Sequence, residues 1–238
     1  MLVSNSFSHG KGYLEHCVED IKLFLGGIRT ITFIPFAQHD WAAAEKIAKE
    51  ALAKFGIAVR TMPDYNLGFS YTGGSSSTAR RAILDAEAFL VGGGNTFRLL
   101  ERLYRFGLLN VIRQRVDQGV PYIGVSAGAN VAGPTIMTTN DMPIVYPQSF
   151  AALNLFSYQI NPHFVDPDPT SLHMGETREK RIAEFHEEND APVIGIREGS
   201  WVMMEMGTAW VGGQTFTKIF RKGEPPEEWD SGPIDVFS

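Results

Sequence analysis

Ser126 stands between Gly124 and Gly128 in the run Pro121-Tyr122-Ile123-Gly124-Val125-Ser126-Ala127-Gly128-Ala129-Asn130. G-x-S-x-G is the spacing of a nucleophile elbow, where a serine sits at the tip of a sharp turn between a buried strand and a helix. The turn is tight, so the residues two before and two after the serine must be small. The serine then points away from the sheet, beside free backbone N–H groups at a helix start that can hold a developing negative charge. An ordinary strand-to-helix turn can contain the same five residues, so the motif needs partners before it means chemistry.

A serine hydroxyl is a weak nucleophile without a base in hydrogen-bond reach, and the base needs a carboxylate to fix its tautomer. His163, in Asn161-Pro162-His163-Phe164, is the best candidate base, expected just past the carboxyl end of a strand over 155–160. The alternative is a packed histidine satisfied by a backbone carbonyl. His9, His16, His39, His173 and His186 end no expected core strand and read as surface residues. Two carboxylates qualify by position. Glu198 closes a strand over 192–196, and Asp141 lies in a proline-rich excursion after the elbow. Their structural readings are a turn residue for Glu198 and an Asx-type loop bond for Asp141. Gly92-Gly93-Gly94 follows another strand and lets backbone N–H groups approach a ligand closely. It has neither the dinucleotide-binding glycine spacing nor a P-loop lysine. With the backbone of Ala127, Gly93 and Gly94 form a candidate oxyanion hole, the remaining option being phosphate binding. Together these are the parts for acyl transfer. No H-x-x-x-H and no cysteine pair occurs, so neither a metal site nor a cofactor is expected.

The elements that must position these groups follow from periodicity and punctuation. Strands are expected over 2–6, 30–35 and 57–62, where β-branched and apolar residues cluster. Helices are expected over 15–25, ended by Gly26-Gly27, and over 41–55, capped by Asp40 and closed by Gly56. A Gly/Ser-rich stretch over 68–78 reads as a loop, and a helix over 77–84 precedes the strand over 88–91. Helices over 96–104 and 108–118 deliver the chain to the elbow strand. After the charged helix over 178–188 and the strand over 192–196, the tail over 201–220 alternates strand-like runs with glycine turns, as antiparallel hairpins at one edge would. Alternating strand and helix predicts an α/β fold: a mostly parallel twisted sheet with helices on both faces and an antiparallel C-terminal edge. Residues 1–238 read as a single domain, because no repeat and no low-complexity linker interrupts them.

The chain has 238 residues, enough to bury a sizeable core. Apolar residues make up 44% and charged residues 20%, as in ordinary globular proteins. A net charge of −6 argues against nucleic acid or an anionic membrane as the main partner. Cys17 is the only cysteine, so no intrachain disulfide forms, which suits a reducing compartment. No apolar run reaches the roughly 18 residues of a membrane span, and no basic-then-apolar leader opens the sequence. A cytoplasmic location is the expectation; oligomeric state is not legible.

Gly124-Val125-Ser126-Ala127-Gly128-Ala129-Asn130, Thr139-Asn140-Asp141-Met142-Pro143-Ile144 and Asn161-Pro162-His163-Phe164 closely resemble the peptidase E family of α-aspartyl dipeptidases. Gly175-Glu176-Thr177-Arg178-Glu179 and Arg197-Glu198-Gly199 also match in order and approximate spacing. The resemblance covers nearly the whole chain. It implies a flavodoxin-like fold related to class I glutamine amidotransferases, with serine where those enzymes use cysteine. It implies serine-type hydrolysis of small dipeptides carrying N-terminal aspartate. Ser126 matches the nucleophile and His163 the base. Asp141 matches a residue assigned to the charge relay, and Glu198 a glutamate proposed in that role instead. Position favours Glu198, since a strand end is better fixed by the scaffold than a proline-bounded loop.

An aspartyl side chain is an anion, and arginine suits a carboxylate because its planar fork binds both oxygens. Arg178, expected at the start of a helix near the His163 loop, is the candidate. Its other reading is a solvated helix-face charge, which fits Lys180 and Arg181 better. Two further functions stay open: a cyanophycinase-like hydrolase of aspartyl polymers, and a non-catalytic domain that binds a phosphorylated metabolite on the glycine loop.

Overall fold

The computed structural model describes residues 1–61, 76–167, 175–205, 208–230 and 232–234. Through its first half the chain alternates strand and helix. β1 (Leu2–Val3) leads through a 3-10 turn to α1 (Val18–Leu25), then β2 (Thr30–Ile34), α2 (Trp41–Ala53), β3 (Ala58–Thr61), α3 (Ser76–Leu84) and β4 (Phe89–Val91). α4 (Thr96–Arg105) and α5 (Leu109–Asp117) follow, then β5 (Tyr122–Val125) and α6 (Ala127–Asn130). An irregular excursion reaches β6 (Gln159–Phe164), then α7 (Arg178–Glu188) and β7 (Val193–Arg197). The chain ends in β8 (Ser200–Glu205), β9 (Thr208–Gly213), β10 (Thr217–Phe220), β11 (Glu227–Trp229) and β12 (Gly232–Ile234).

Local chemistry sets the element ends. Asp40 Oδ1 accepts from the Ala43 N–H at 2.9 Å and opens α2, and Asn95 Oδ1 accepts from Arg98 N–H at 3.0 Å to open α4. Thr177 does the same for α7 through Lys180 N–H, at 3.1 Å. The expected loop over 68–75 lies outside the described residues, and residues 76–78 belong to α3 rather than to a loop.

The first sheet has the order β12-β9-β8-β1-β5-β4-β2-β3. β1, β5, β4, β2 and β3 run parallel, while β8, β9 and β12 are antiparallel additions at one side. β4 and β5 are buried along their whole length, as central parallel strands covered on both faces must be. Their side chains alternate between two apolar cores. Phe89, Val91 and Tyr122 pack with α3, α4 and α5, whereas Leu90, Ile123 and Val125 pack with α1 and α2. The expected α/β sheet with helices on both faces and an antiparallel C-terminal side is therefore present.

One expectation is corrected. The strand over 192–196 and part of the tail do not extend the first sheet. β6 and β7 pair in parallel, and β10 and β11 join them antiparallel, to give a second sheet ordered β11-β10-β7-β6. A short apolar strand reads the same whichever sheet it joins, so its neighbours were not legible. Ile160, Ile194 and Ile196 from this sheet enter the same core as α3, α4 and α5. α7 packs Ile182 against Phe164, Val193 and Phe220.

α2 covers one face of the first sheet and α4 the other, while the loops after β2 and β4 lie side by side. At the carboxyl ends of its strands an open α/β sheet leaves a crevice.

Candidate active site

Ser126 sits at the end of β5 with φ 53° and ψ −111°, a backbone conformation that costs a non-glycine residue about 1–3 kcal/mol. The two flanking glycines make the turn possible. A Cβ on Gly124 would lie 2.3 Å from the Gly128 carbonyl oxygen, and one on Gly128 would lie 2.1 Å from that of Val91. No side chain fits at either place. Tyr122 Oη donates to the Gly128 carbonyl at 2.7 Å and ties the far side of the turn to the strand. Ser126 N–H donates to the Val3 carbonyl at 3.0 Å, and its own carbonyl accepts from Asn130 N–H at 2.9 Å. The strained serine is thus held from both sides.

His163 lies within β6, not past its end as expected. The β6–β7 register shifts between Pro162 and Phe164, and His163 takes φ 54° at that bulge. The bulge turns the imidazole toward the elbow. Nε2 lies 2.9 Å from Ser126 Oγ, and Nδ1 lies 2.7 Å from Glu198 Oε1. A carboxylate oxygen accepts, so Nδ1–H donates the hydrogen bond to Glu198 Oε1, which leaves Nε2 to accept from the serine hydroxyl. Glu198 sits in the turn between β7 and β8, hence between the two sheets.

Asp141 is engaged elsewhere. Its Oδ2 accepts from Thr96 N–H at 2.7 Å and from Thr96 Oγ1 at 2.6 Å, which anchors the excursion to the start of α4. It also lines the pocket beside Ser126. Thr96 carries no pattern in the sequence that would have singled it out.

The glycine loop lies against the serine. A Cβ on Gly93 would stand 3.1 Å from Ser126 Cβ and 3.5 Å from Oγ. Gly92 N–H donates to Ile34 and Asn95 N–H to Ala37, while Gly93 and Gly94 N–H have no hydrogen-bond partner among the described residues. Gln38 Nε2 donates to the Gly93 carbonyl at 2.7 Å and fixes that peptide. In the sequence nothing but its place after β2 marks Gln38. An open pocket of about 480 Å³ lies here, lined among others by Gln38, Gly93, Ser126, Asp141 and His163, with Phe7, Tyr13 and Ile47 as an apolar wall.

Arg178 opens α7 and is partly exposed, without a hydrogen-bond or ion-pair partner among the described residues. It is not among the described residues that line the pocket. Partial burial and Arg181 pull its pKa below the usual arginine value, and the charge of Asp141 acts in the opposite direction, so Arg178 is within electrostatic reach of that pocket wall. Of the other histidines, His186 is buried rather than exposed, with Nε2 3.1 Å from the Ala191 carbonyl oxygen, and His16 is half-buried. His173 lies outside the described residues. Among the described residues no cluster of His, Cys, Asp and Glu is arranged to hold a metal ion.

Residues 1–211 match the family model described as peptidase family S51. The chain is 47% identical over 228 residues to a protein of Streptomyces coelicolor named Peptidase E, covering 96% of this chain and 89% of that one. It is 41% identical over 235 residues to a Drosophila melanogaster protein named "Probable alpha-aspartyl dipeptidase", covering 96% and 92%. Among solved structures, a peptidase from an acI-B1 Actinobacterium superposes with a TM-score of 0.71 at 18% identity, over 98% of this chain and 94% of that one, a likeness of fold.

Proposed function

The chain belongs to peptidase family S51, and from that premise we propose that it is a serine-type dipeptidase that hydrolyses dipeptides with N-terminal aspartate at Ser126. The observation that carries the reading is the unbroken relay Ser126 Oγ–His163 Nε2 at 2.9 Å and His163 Nδ1–Glu198 Oε1 at 2.7 Å, built on a strained elbow. A domain that only bound a phosphorylated ligand on the glycine loop would have no use for it.

The chemistry follows from the geometry. Ser126 Oγ attacks the carbonyl carbon of the dipeptide bond, and its proton passes to His163 Nε2 as the C–O bond forms. Glu198 holds Nδ1–H and stabilises the imidazolium. The carbonyl oxygen becomes an oxyanion that accepts from the N–H groups of Gly93, Gly94 and Ala127. When the C–N bond breaks, His163 returns its proton to the leaving amino group, and an aspartyl ester on Ser126 remains. Water then attacks the ester, again through His163, and free aspartate departs. Arg178 pairs with the aspartyl side chain of the bound dipeptide. Asp141 shapes the pocket and adds its charge without joining the relay.

Hydrolysis of Asp-Leu by the wild type and by Ser126→Ala tests the reading. The wild type should cleave, and the variant should lose at least about 10³-fold in kcat. A wild type that leaves Asp-Leu intact but degrades aspartyl polymers would move the activity to the cyanophycinase-like class. Arg178→Ala should raise KM for Asp-Leu at least about tenfold, the scale of a charge-assisted pair; an unchanged KM removes Arg178 from the substrate site.

A further inference from the structure

The three relay residues come from different places. Ser126 follows β5 in the first sheet, His163 interrupts β6 in the second, and Glu198 lies in the turn that links β7 to β8. Three consecutive residues touch the backbone at all three. The Val3 carbonyl accepts from Ser126 N–H at 3.0 Å. Ser4 Oγ accepts from His163 N–H at 2.9 Å. Asn5 Oδ1 accepts from the N–H of Gly199, the residue after Glu198, at 2.8 Å.

We propose that Val3-Ser4-Asn5 is the template that sets the relay in register, with Ser4 and Asn5 as positioning residues for the histidine and the glutamate. The proposal rests on the reading of Ser126, His163 and Glu198 as the relay. Ser4 is fully buried, and its single hydroxyl proton goes to the Ile196 carbonyl of β7 at 2.7 Å. With the proton committed there, the oxygen lone pairs are left for His163 N–H. Its own N–H donates to the Ser200 carbonyl of β8 at 3.1 Å, so one residue bridges both sheets. The bond to His163 falls where the β6–β7 register breaks, on a residue whose φ of 54° is unfavourable without support. Asn5 is buried as well, and its Nδ2 donates to the Phe7 carbonyl at 2.6 Å and to Ser8 Oγ at 3.2 Å, which fixes the amide with Oδ1 toward Gly199. A hydroxyl and an amide are used here as measuring rods between strands, and neither needs to touch substrate.

The experiment measures kcat and KM for Asp-Leu, and the rate of Ser126 phosphonylation by diisopropyl fluorophosphate, in Ser4→Ala, Ser4→Cys and Asn5→Ala, each also placed in a Glu198→Gln background. In phosphonylation Ser126 Oγ forms a bond to phosphorus, fluoride leaves, and the serine proton goes to His163. A misplacement of the imidazole should lower kcat and the labelling rate together by about 10–100-fold with KM within about threefold. In the Glu198→Gln background the same substitutions should cost markedly less, because the alignment they protect is already lost. Relay residues that act independently of the template would give labelling rates within twofold of wild type in the folded variants, or losses that multiply unchanged in the Glu198→Gln background. Either result overturns the proposal. If Ser4→Ala does not fold, Ser4→Cys and Asn5→Ala decide in the same way, and failure of all three to fold shows a purely structural role and overturns it too. A wild type that is labelled at Ser126 but leaves Asp-Leu intact faults the substrate reading alone, since the labelling series still tests the template.

Discussion

Glu198 presents its carboxylate to His163 at 2.7 Å while 61% of its side chain stays exposed. Water screens such a pair, so its value lies more in fixing the imidazole tautomer than in Coulomb energy. Glu198→Gln should therefore lower kcat by about 10²-fold, at the lower end of the 10²–10⁴ range for loss of a relay acid, with KM little changed. Asp141 makes a contrasting case. Both bonds to its Oδ2 come from Thr96 at the start of α4, where a negative charge is favourable. Asp141→Asn should cost about 1 kcal/mol of stability and less than tenfold in kcat. Steady-state kinetics beside thermal melts separate the two, and a larger kcat loss in Asp141→Asn than in Glu198→Gln would return Asp141 to the relay.

At the scale of elements, the second sheet is locked by a charge cluster beside the relay. Arg197 ends β7, immediately before Glu198, and is clamped by Asp166 at 2.6 and 2.8 Å and by Glu228 of β11 at 2.8 Å. Its guanidinium lies 5.7 Å from the Phe164 ring centre, against the strand that carries His163. Hydrogen bonds from Arg197 hold both carboxyls below their usual range, while the same bonds raise the arginine. Carboxylates with lowered folded pKa contribute stability that is present above their unfolded values and lost as the pH falls through the folded ones. The melting temperature should then decline as the pH drops below about 4. Arg197→Met should lower it at pH 7 and flatten that acid-side decline, read by melts across pH 2.5–7; an unchanged acid slope would show that the cluster contributes nothing. Much of this level was legible in the sequence. The elbow strand, the glycine loop and the capped start of α2 follow from Gly124 and Gly128, from Gly92-Gly93-Gly94 and from Asp40, whose local chemistry favours those turns. The bulge at His163 was not, because Asn-Pro-His-Phe carries no local sign of a left-handed histidine. The place of β6 and β7 in a separate sheet depends on contacts such as Phe164 over Gly195, which no local pattern encodes.

For the molecule as a whole, we infer that residues 1–238 form one folding unit despite their two sheets. The bonds of Ser4 and Asn5 run between the sheets, β7 continues into β8 through a single turn at Glu198 and Gly199, and both sheets feed one apolar core. Calorimetry should show a single unfolding transition that coincides with loss of activity; two separated transitions would divide the chain. No helix among the described residues is long and apolar enough to cross a membrane. The site itself was legible as a parts list, since Ser126, His163 and Glu198 lie together as their residue types suggested. Gln38, Thr96, Ser4 and Asn5 were not, because a positioning role resides in the partner and leaves no trace in the residue. The links that complete the site are long-range, as is the pairing of Leu2 with Val202 between β1 and β8: Ser4 and His163 are separated by 159 positions and Asn5 and Gly199 by 194. Closing loops of that length carries an entropic cost that contacts within one element never meet. A chain in which those links have not closed carries an elbow serine with no imidazole beside it.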